Sequence, residues 1–223
     1  MSEAKARMPV VVLVSGGGTN LQSIIDGAAS GLPIEIRAVI SNRPEAFGLE
    51  RARRAGIPAE GLDHREFASR EAFDQALMAR IDRYAPGLVV LAGFMRILTS
   101  DFVRHYAGRM LNIHPSLLPA FRGLDTHRRA LDAGAAEHGA SVHFVSDELD
   151  GGPVIIQARV PVAPDDTPER LAARVLEREH VIYPTAIRWF AEGRLRLDGN
   201  HALLDGAPLT RPVILAPEDA APA

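Results

Sequence analysis

Asn112 and His114 stand two residues apart at the end of an apolar run, in the segment Asn112-Ile113-His114-Pro115-Ser116-Leu117-Leu118-Pro119. On a strand, residues i and i+2 point to the same side. An amide donor and an imidazole able to carry a proton can therefore aim at one point. That pair suits a carbonyl whose oxygen turns negative in the transition state. Pro115 and Pro119 stiffen the exit path, since each fixes φ near about −65° and removes a backbone donor. The plainer reading of the same residues is a hydrogen-bonded histidine in a proline-rich loop. Asp150 is the natural partner for His114. An acidic neighbour favours a charged imidazole and can itself accept a proton. Alone, an Asp before Gly151-Gly152 reads as a turn former. Its setting raises the functional reading: residues 146–153 are polar and carry the carboxylates Asp147, Glu148 and Asp150. Such a connection is longer than the usual hairpin loop, and polar loops on rigid scaffolds tend to carry function.

A second candidate is Ser15-Gly16-Gly17-Gly18-Thr19-Asn20, a glycine-rich turn leading into an apolar-periodic segment. Backbone N–H groups at a helix start bind phosphate, aided by the helix dipole. Gly18, Thr19 and Asn20 are the expected contacts. A dinucleotide site fits less well: the third glycine of the G-x-G-x-x-G pattern falls on Leu21, and Ser41-Asn42 offers no ribose-binding acid. One phosphomonoester fits better, and a plain tight turn is the alternative.

Other chemistries are excluded or weak. There is no cysteine, so no disulfide, thiolate nucleophile or Cys-type zinc site exists. Lys5 is the only lysine and lies in a leader expected to be disordered, which removes Schiff-base and P-loop lysines. Eight histidines show neither H-E-x-x-H nor H-x-H spacing, so no metal is expected. No G-x-S-x-G elbow is present for a serine hydrolase. A net charge of −3 argues against nucleic acid as the main partner. No run approaches the about 18 apolar residues of a membrane span, so no membrane partner is expected and a cytoplasmic protein is the default.

The elements that must position these residues follow from periodicity. Pro9–Val14, Ile34–Ile40, Leu88–Ala92 and Arg109–Ile113 read as strands. Between them, helices are expected over Leu21–Ala28, Ala46–Ala55, from the cap Ser69 to Tyr84, and from Thr99 or Ser100 to Tyr106. Alternation of strand and helix predicts an α/β fold with an open, mainly parallel twisted sheet and helices on both faces. Ligands in such sheets sit beyond the strand carboxyl ends, where the glycine turn and the Asn112/His114 segment both fall. After residue 138 the pattern changes to an antiparallel C-terminal portion, with strands Ala140–Val145 and Val154–Val160. A last long helix is expected from the cap Thr167, with Pro168 at its first position and a kink at Pro184. A hairpin over 194–204 follows. A single domain is expected over 1–206. The Ala- and Pro-rich tail 207–223 is expected to be loosely ordered.

Together these motifs resemble the folate-dependent glycinamide ribonucleotide formyltransferases. The segments that carry the likeness are Ser15–Gln22, Leu91-Ala92-Gly93-Phe94-Met95-Arg96-Ile97-Leu98, Asn112–Pro119, Asp147–Pro153 and Glu179-His180-Val181-Ile182-Tyr183-Pro184. The likeness runs from Val10 to about Leu204. The His114–Pro119 stretch and the Asp150 loop are shared by a wider set of 10-formyltetrahydrofolate enzymes. The Thr19-Asn20 loop and the Glu179 segment point to the ribonucleotide-using branch. The resemblance implies a Rossmann-like formyltransferase fold and catalytic Asn112, His114 and Asp150. It places the ribonucleotide on Gly18, Thr19, Asn20, Leu21, Gln22 and Glu179. It places 10-formyltetrahydrofolate, as co-substrate, against Arg70, Met95, Arg96, Ile97, Leu98, Asn112 and the residues Ser146, Asp147, Glu148, Leu149 and Asp150. It leaves a homodimer open. Gly17 departs from the larger polar residue of several relatives, and Asp125 falls where relatives vary. A 10-formyltetrahydrofolate hydrolase and a non-catalytic nucleotide-binding module are the alternatives.

Overall fold

The computed structural model describes residues 7–215. Strand β1 (Met8–Val14) is central, and Val10 to Val14 are fully buried. Its side chains divide by parity, as a strand requires. Val10, Val12 and Val14 join one core cluster with α1 (Thr19–Ala29), α2 (Phe47–Arg54) and α6 (Pro168–Ala191). Val11 and Leu13 join another with α3 (Arg70–Asp82) and α4 (Ser100–His105). Burial on both faces explains why the run is continuously apolar rather than alternating.

Eight strands form the sheet in the order β11-β7-β6-β5-β4-β1-β2-β3. These are β2 (Ile34–Ser41), β3 (Ala59–Gly61), β4 (Leu88–Leu91), β5 (Met110–His114), β6 (Glu137–Phe144), β7 (Val154–Pro161) and β11 (Val213–Leu215). Only β6 runs against the others, being antiparallel to both β5 and β7. That reversal brings β6 residues across from the end of β5, pairing Asn112 with His143 and His114 with Ser141. A separate antiparallel sheet is built from β8 (Leu195–Asp198), β9 (His201–Leu204) and β10 (Ala207–Pro208).

The caps are those expected. Ser69, Thr99 and Thr167 side chains accept from the N–H groups of Ala72, Phe102 and Arg170. The short helix α5 (Thr126–Asp132) carries His127. Helix α6 continues through Pro184 without a break. The neighbouring Tyr183 fastens it from within: the buried hydroxyl lies 2.8 Å from the Leu91 carbonyl and 3.0 Å from that of Leu111, on β4 and β5.

The tail requires a correction. Residues 207–215 are not loose: β10 pairs with β9, and β11 pairs in parallel with Ile156–Ala158 of β7. Composition misled because the short run Val213-Ile214-Leu215 satisfies the open edge of β7 despite its Ala/Pro surroundings. Residues 216–223 and Lys5 lie outside the described part.

Candidate active site

The carboxyl ends of β4 and β5 open into a cavity of about 610 Å³. Asn112, Ile113 and His114 form its floor, with Gly93–Ile97 on one side and Gly123–His127 on another. Pro115, Asn20, Glu179, Leu149 and Asp150 complete it. A smaller cavity of about 140 Å³ adjoins it. The two share Phe94, Arg96, Ile97, Asn112, Leu149 and Asp150, and the smaller adds Leu98 and Ser146–Glu148. Among the described residues six large apolar side chains are exposed, and four of them, Met95, Ile97, Leu124 and Leu149, line the larger cavity. That clustering marks a surface suited to an apolar ligand.

A polar chain runs across the floor. His114 Nδ1 lies 3.5 Å from Asp150 Oδ2, and both side chains are about nine-tenths buried. The Gly123 N–H donates to the same oxygen at 2.9 Å. Asp150 Oδ1 lies 3.9 Å from His143 Nε2, which lies 3.1 Å from Asn112 Nδ2. His143 Nδ1 is 2.8 Å from the Phe144 carbonyl. A carbonyl only accepts, so Nδ1 carries a proton and, in the neutral ring, Nε2 accepts from the Asn112 amide. Burial holds the His143 imidazole below its ordinary pKa, which favours that neutral form. His114 Nε2 faces the Phe121 carbonyl at 3.0 Å. Both of its ring nitrogens therefore face acceptors, an arrangement matched to a doubly protonated imidazole.

Two loops hold Asp150 in place. Its backbone has φ +48°, in the left-handed region that Asp tolerates better than most residues. The Arg122 guanidinium bonds the Glu148 carboxylate, tying the 119–125 connection to the acidic loop. On the opposite wall Asn20 Nδ2 donates to Glu179 Oε2 at 2.6 Å. Burial raises the Glu179 pKa, and the Asn20 bond offsets part of that rise. Asn20 Oδ1 is buried with no partner among the described residues. His127 belongs to the cavity wall, and its Nδ1 lies 3.2 Å from Nε2 of the buried His138. Burial, then the charges of His127 and His114, lower the His138 pKa to about 4.

Residues 8–187 match the family model described as formyl transferase. Phosphoribosylglycinamide formyltransferase of Escherichia coli is 59% identical over 203 residues, covering 91% of this chain and 96% of that protein. The chain belongs to the phosphoribosylglycinamide formyltransferase family. The enzyme of that name from Haemophilus influenzae is 49% identical, with the same coverage of both chains. The solved structure of the Coxiella burnetii phosphoribosylglycinamide formyltransferase superposes with a TM-score of 0.91 at 56% identity, covering 94% of this chain and 99% of that one.

The family resemblance and the geometry meet unevenly at the expected residues. Asn112, His114, Asp150, Asn20, Glu179, Met95, Arg96 and Ile97 line the larger cavity, and Leu98, Ser146, Asp147 and Glu148 the smaller. Gly18, Thr19, Leu21 and Gln22 line neither; the Leu21 side chain is fully buried in the core. Gly18 opens α1 with φ +70° and no side-chain cap, and a Cβ there would stand 2.7 Å from Gly48 Cα. Arg70 also lines neither cavity. It is half-exposed, one turn before Phe73, whose ring lies under the Arg96 guanidinium at 4.8 Å. Sequence reasoning missed His143, Phe94 and the wall from Gly123 to His127. His143 alternates with Ser141 on β6, but only the antiparallel pairing with β5 shows what it faces.

Among the described residues no group of three or more His, Cys, Asp or Glu side chains could hold a metal ion. Nor is any helix among them long and apolar enough to cross a membrane.

Proposed function

We propose that this chain transfers the formyl group of 10-formyltetrahydrofolate to the amine of glycinamide ribonucleotide, with Asn112, His114 and Asp150 as its catalytic residues. The observation that carries the proposal is the cluster of His114, Asp150, His143 and Asn112 at the floor of an apolar-rimmed cleft. The family relatives, which bear the name of this reaction, support it.

The substrate amine attacks the formyl carbon, and negative charge develops on the formyl oxygen. Asn112 keeps one amide N–H for His143 and has the other to offer that oxygen. His114 supplies a second donor. Delivery of its Nε2 proton exchanges the Phe121 carbonyl for the substrate oxygen. Asp150 offers its carboxylate to the charged ring and stands where it can receive the proton released by the attacking nitrogen. Collapse breaks the bond to the folate nitrogen, which takes up the proton that Asp150 received from the attacking nitrogen and leaves. No covalent enzyme intermediate is needed.

Opposite walls of the cleft take the two substrates in this reading. The exposed Met95, Ile97 and Leu149 and the adjoining pocket at Leu98 and Ser146–Glu148 offer flat apolar walls and backbone polar groups to the folate. Arg70 joins them only for a ligand long enough to reach the start of α3. The Asn20–Glu179 wall takes the ribonucleotide's polar groups, with the phosphate on the amides of Gly18, Thr19 and Asn20; Leu21 and Gln22 contribute backbone and a brace.

The test is a formyl-transfer assay with the folate donor, run with and without glycinamide ribonucleotide. Formyl release that requires the ribonucleotide supports transfer. Release into water at the same rate in its absence overturns it in favour of a hydrolase.

A further inference from the structure

Helix α2 packs so closely on the glycine loop that its side chains belong to the loop's surroundings. The Gly48 N–H donates to the Gly16 carbonyl at 2.9 Å, and Gly48 Cα occupies the space a Gly18 side chain would need. One turn along α2, Arg51 reaches back over the loop. Its Nε donates to the Gly17 carbonyl at 2.7 Å and its Nη1 to Gln22 Oε1 at 3.2 Å, while Phe47 supports the guanidinium at 5.0 Å.

The charge of Arg51 is unbalanced. Its helix neighbours Arg53 and Arg54 both pair with Glu50. Arg51 makes no ion pair with a carboxylate among the described residues; its partners are a carbonyl, an amide and a ring. Asp26, which a rearranged Arg51 might be thought to seek, is bonded to Gln22 Nε2. The loop beneath is electropositive too. Helix α1 begins there with no side-chain cap and no acidic residue in its first turn, so its leading N–H groups stay unsatisfied. Nearby, burial and then the Arg51 charge lower the His180 pKa, offset in part by Asp26, and its Nε2 has no partner among the described residues. Asn20, in the first turn of α1, is more than nine-tenths buried and keeps an unpartnered oxygen beside Glu179. Arg51 and the leading N–H groups of α1 converge here, while the nearby carboxylates Asp26 and Glu179 are bonded to Gln22 and Asn20, beside acceptors suited to hydroxyl or amide donors. A phosphorylated sugar has both parts.

We propose that Arg51 is a binding residue for the phosphate of the ribonucleotide, closing over the group that the loop amides hold from below. The proposal rests on the reading of the glycine loop as the phosphate site. Guanidinium and phosphate match in geometry, and a charge-assisted pair of this kind is stronger than a neutral hydrogen bond. With Lys5 the only lysine in the chain, Arg51 takes the part a lysine plays at other phosphate loops.

The test compares wild type, Arg51→Gln and Arg51→Lys on glycinamide ribonucleotide and on the phosphate-free glycinamide riboside. For Arg51→Gln the ribonucleotide KM should rise on the order of 10–100-fold, the loss expected for a hydrogen bond to a charged group. Its kcat, its folate KM and its kcat/KM on the riboside should hold. Arg51→Lys should recover part of the loss. An equal fall on both substrates would make Arg51 a mere brace of the loop and overturn the proposal. So would an unchanged ribonucleotide KM. The loop is checked separately by NMR, titrating wild type with ribose 5-phosphate. Shifts of the Thr19 and Asn20 amides uphold the loop as the phosphate site even if Arg51 fails; unmoved amides overturn both.

Discussion

Asn112 and His143 are register partners across the antiparallel pair β5–β6, and the Asn112 amide donates to His143 Nε2 at 3.1 Å. The ring is itself anchored through Nδ1 to the Phe144 carbonyl. His143 therefore sets which way the Asn112 amide points. His143→Leu should keep the fold but cost about 10²-fold in kcat, the scale of a misplaced catalytic group. Asn112→Ala should cost about 10²–10³-fold, the scale of a lost oxyanion donor. Steady-state kinetics on both variants check this ordering. A His143→Leu enzyme with wild-type kcat would remove the orienting role.

Asp150→Asn conserves shape and keeps an acceptor for the Gly123 N–H. It removes the negative charge 3.5 Å from His114. Turnover should drop about 10²–10⁴-fold, with ribonucleotide affinity little changed. Since both groups serve one transition state, the double variant with His114→Ala should be scarcely slower than the slower single variant. Additive losses would place the two residues in separate sites.

The buried His138 imparts an acid sensitivity. Its folded pKa, about 4, is depressed below the ordinary histidine value of 6.5. On acidification the unfolded chain takes up the proton first. The stability contribution is therefore complete above pH about 6.5 and is lost as pH falls through about 4. The melting temperature of wild type should fall across that window. His138→Gln should fall less steeply over the same range. Parallel curves would show that other groups govern the acid limb.

Strand β11 seals the edge of β7 with Val213, Ile214 and Leu215. The partial burial of Val213 and Leu215 is worth on the order of 1–2 kcal/mol. Truncation after Pro212 should thus melt roughly 2–6 °C below truncation after Leu215. Equal melting temperatures for the two truncations would show that the strand adds nothing.

Much of this was legible in the sequence because the relevant signals are local. A continuous β-branched run declares a strand buried on both faces. Ser69, Thr99 and Thr167 declare helix starts by the chemistry of their own side chains. The ordered motifs around Ser15, Met95, Asn112, Asp150 and Glu179 declare a family. The parity of Asn112 and His114 follows from strand geometry alone. What remained hidden depends on distance in space between residues far apart in the chain. His143 meets Asn112 only because β6 reverses direction beside β5. Arg51 meets the glycine loop only because Gly18 and Gly48 let two backbones approach closely. The edge strand at Val213 was masked by its composition, since what orders it is an unpaired neighbour rather than its own propensity. Sequence determined which residues have the chemistry; the tertiary structure decided which of them share a site, because pairing and packing are set by the whole sheet and not by any one segment.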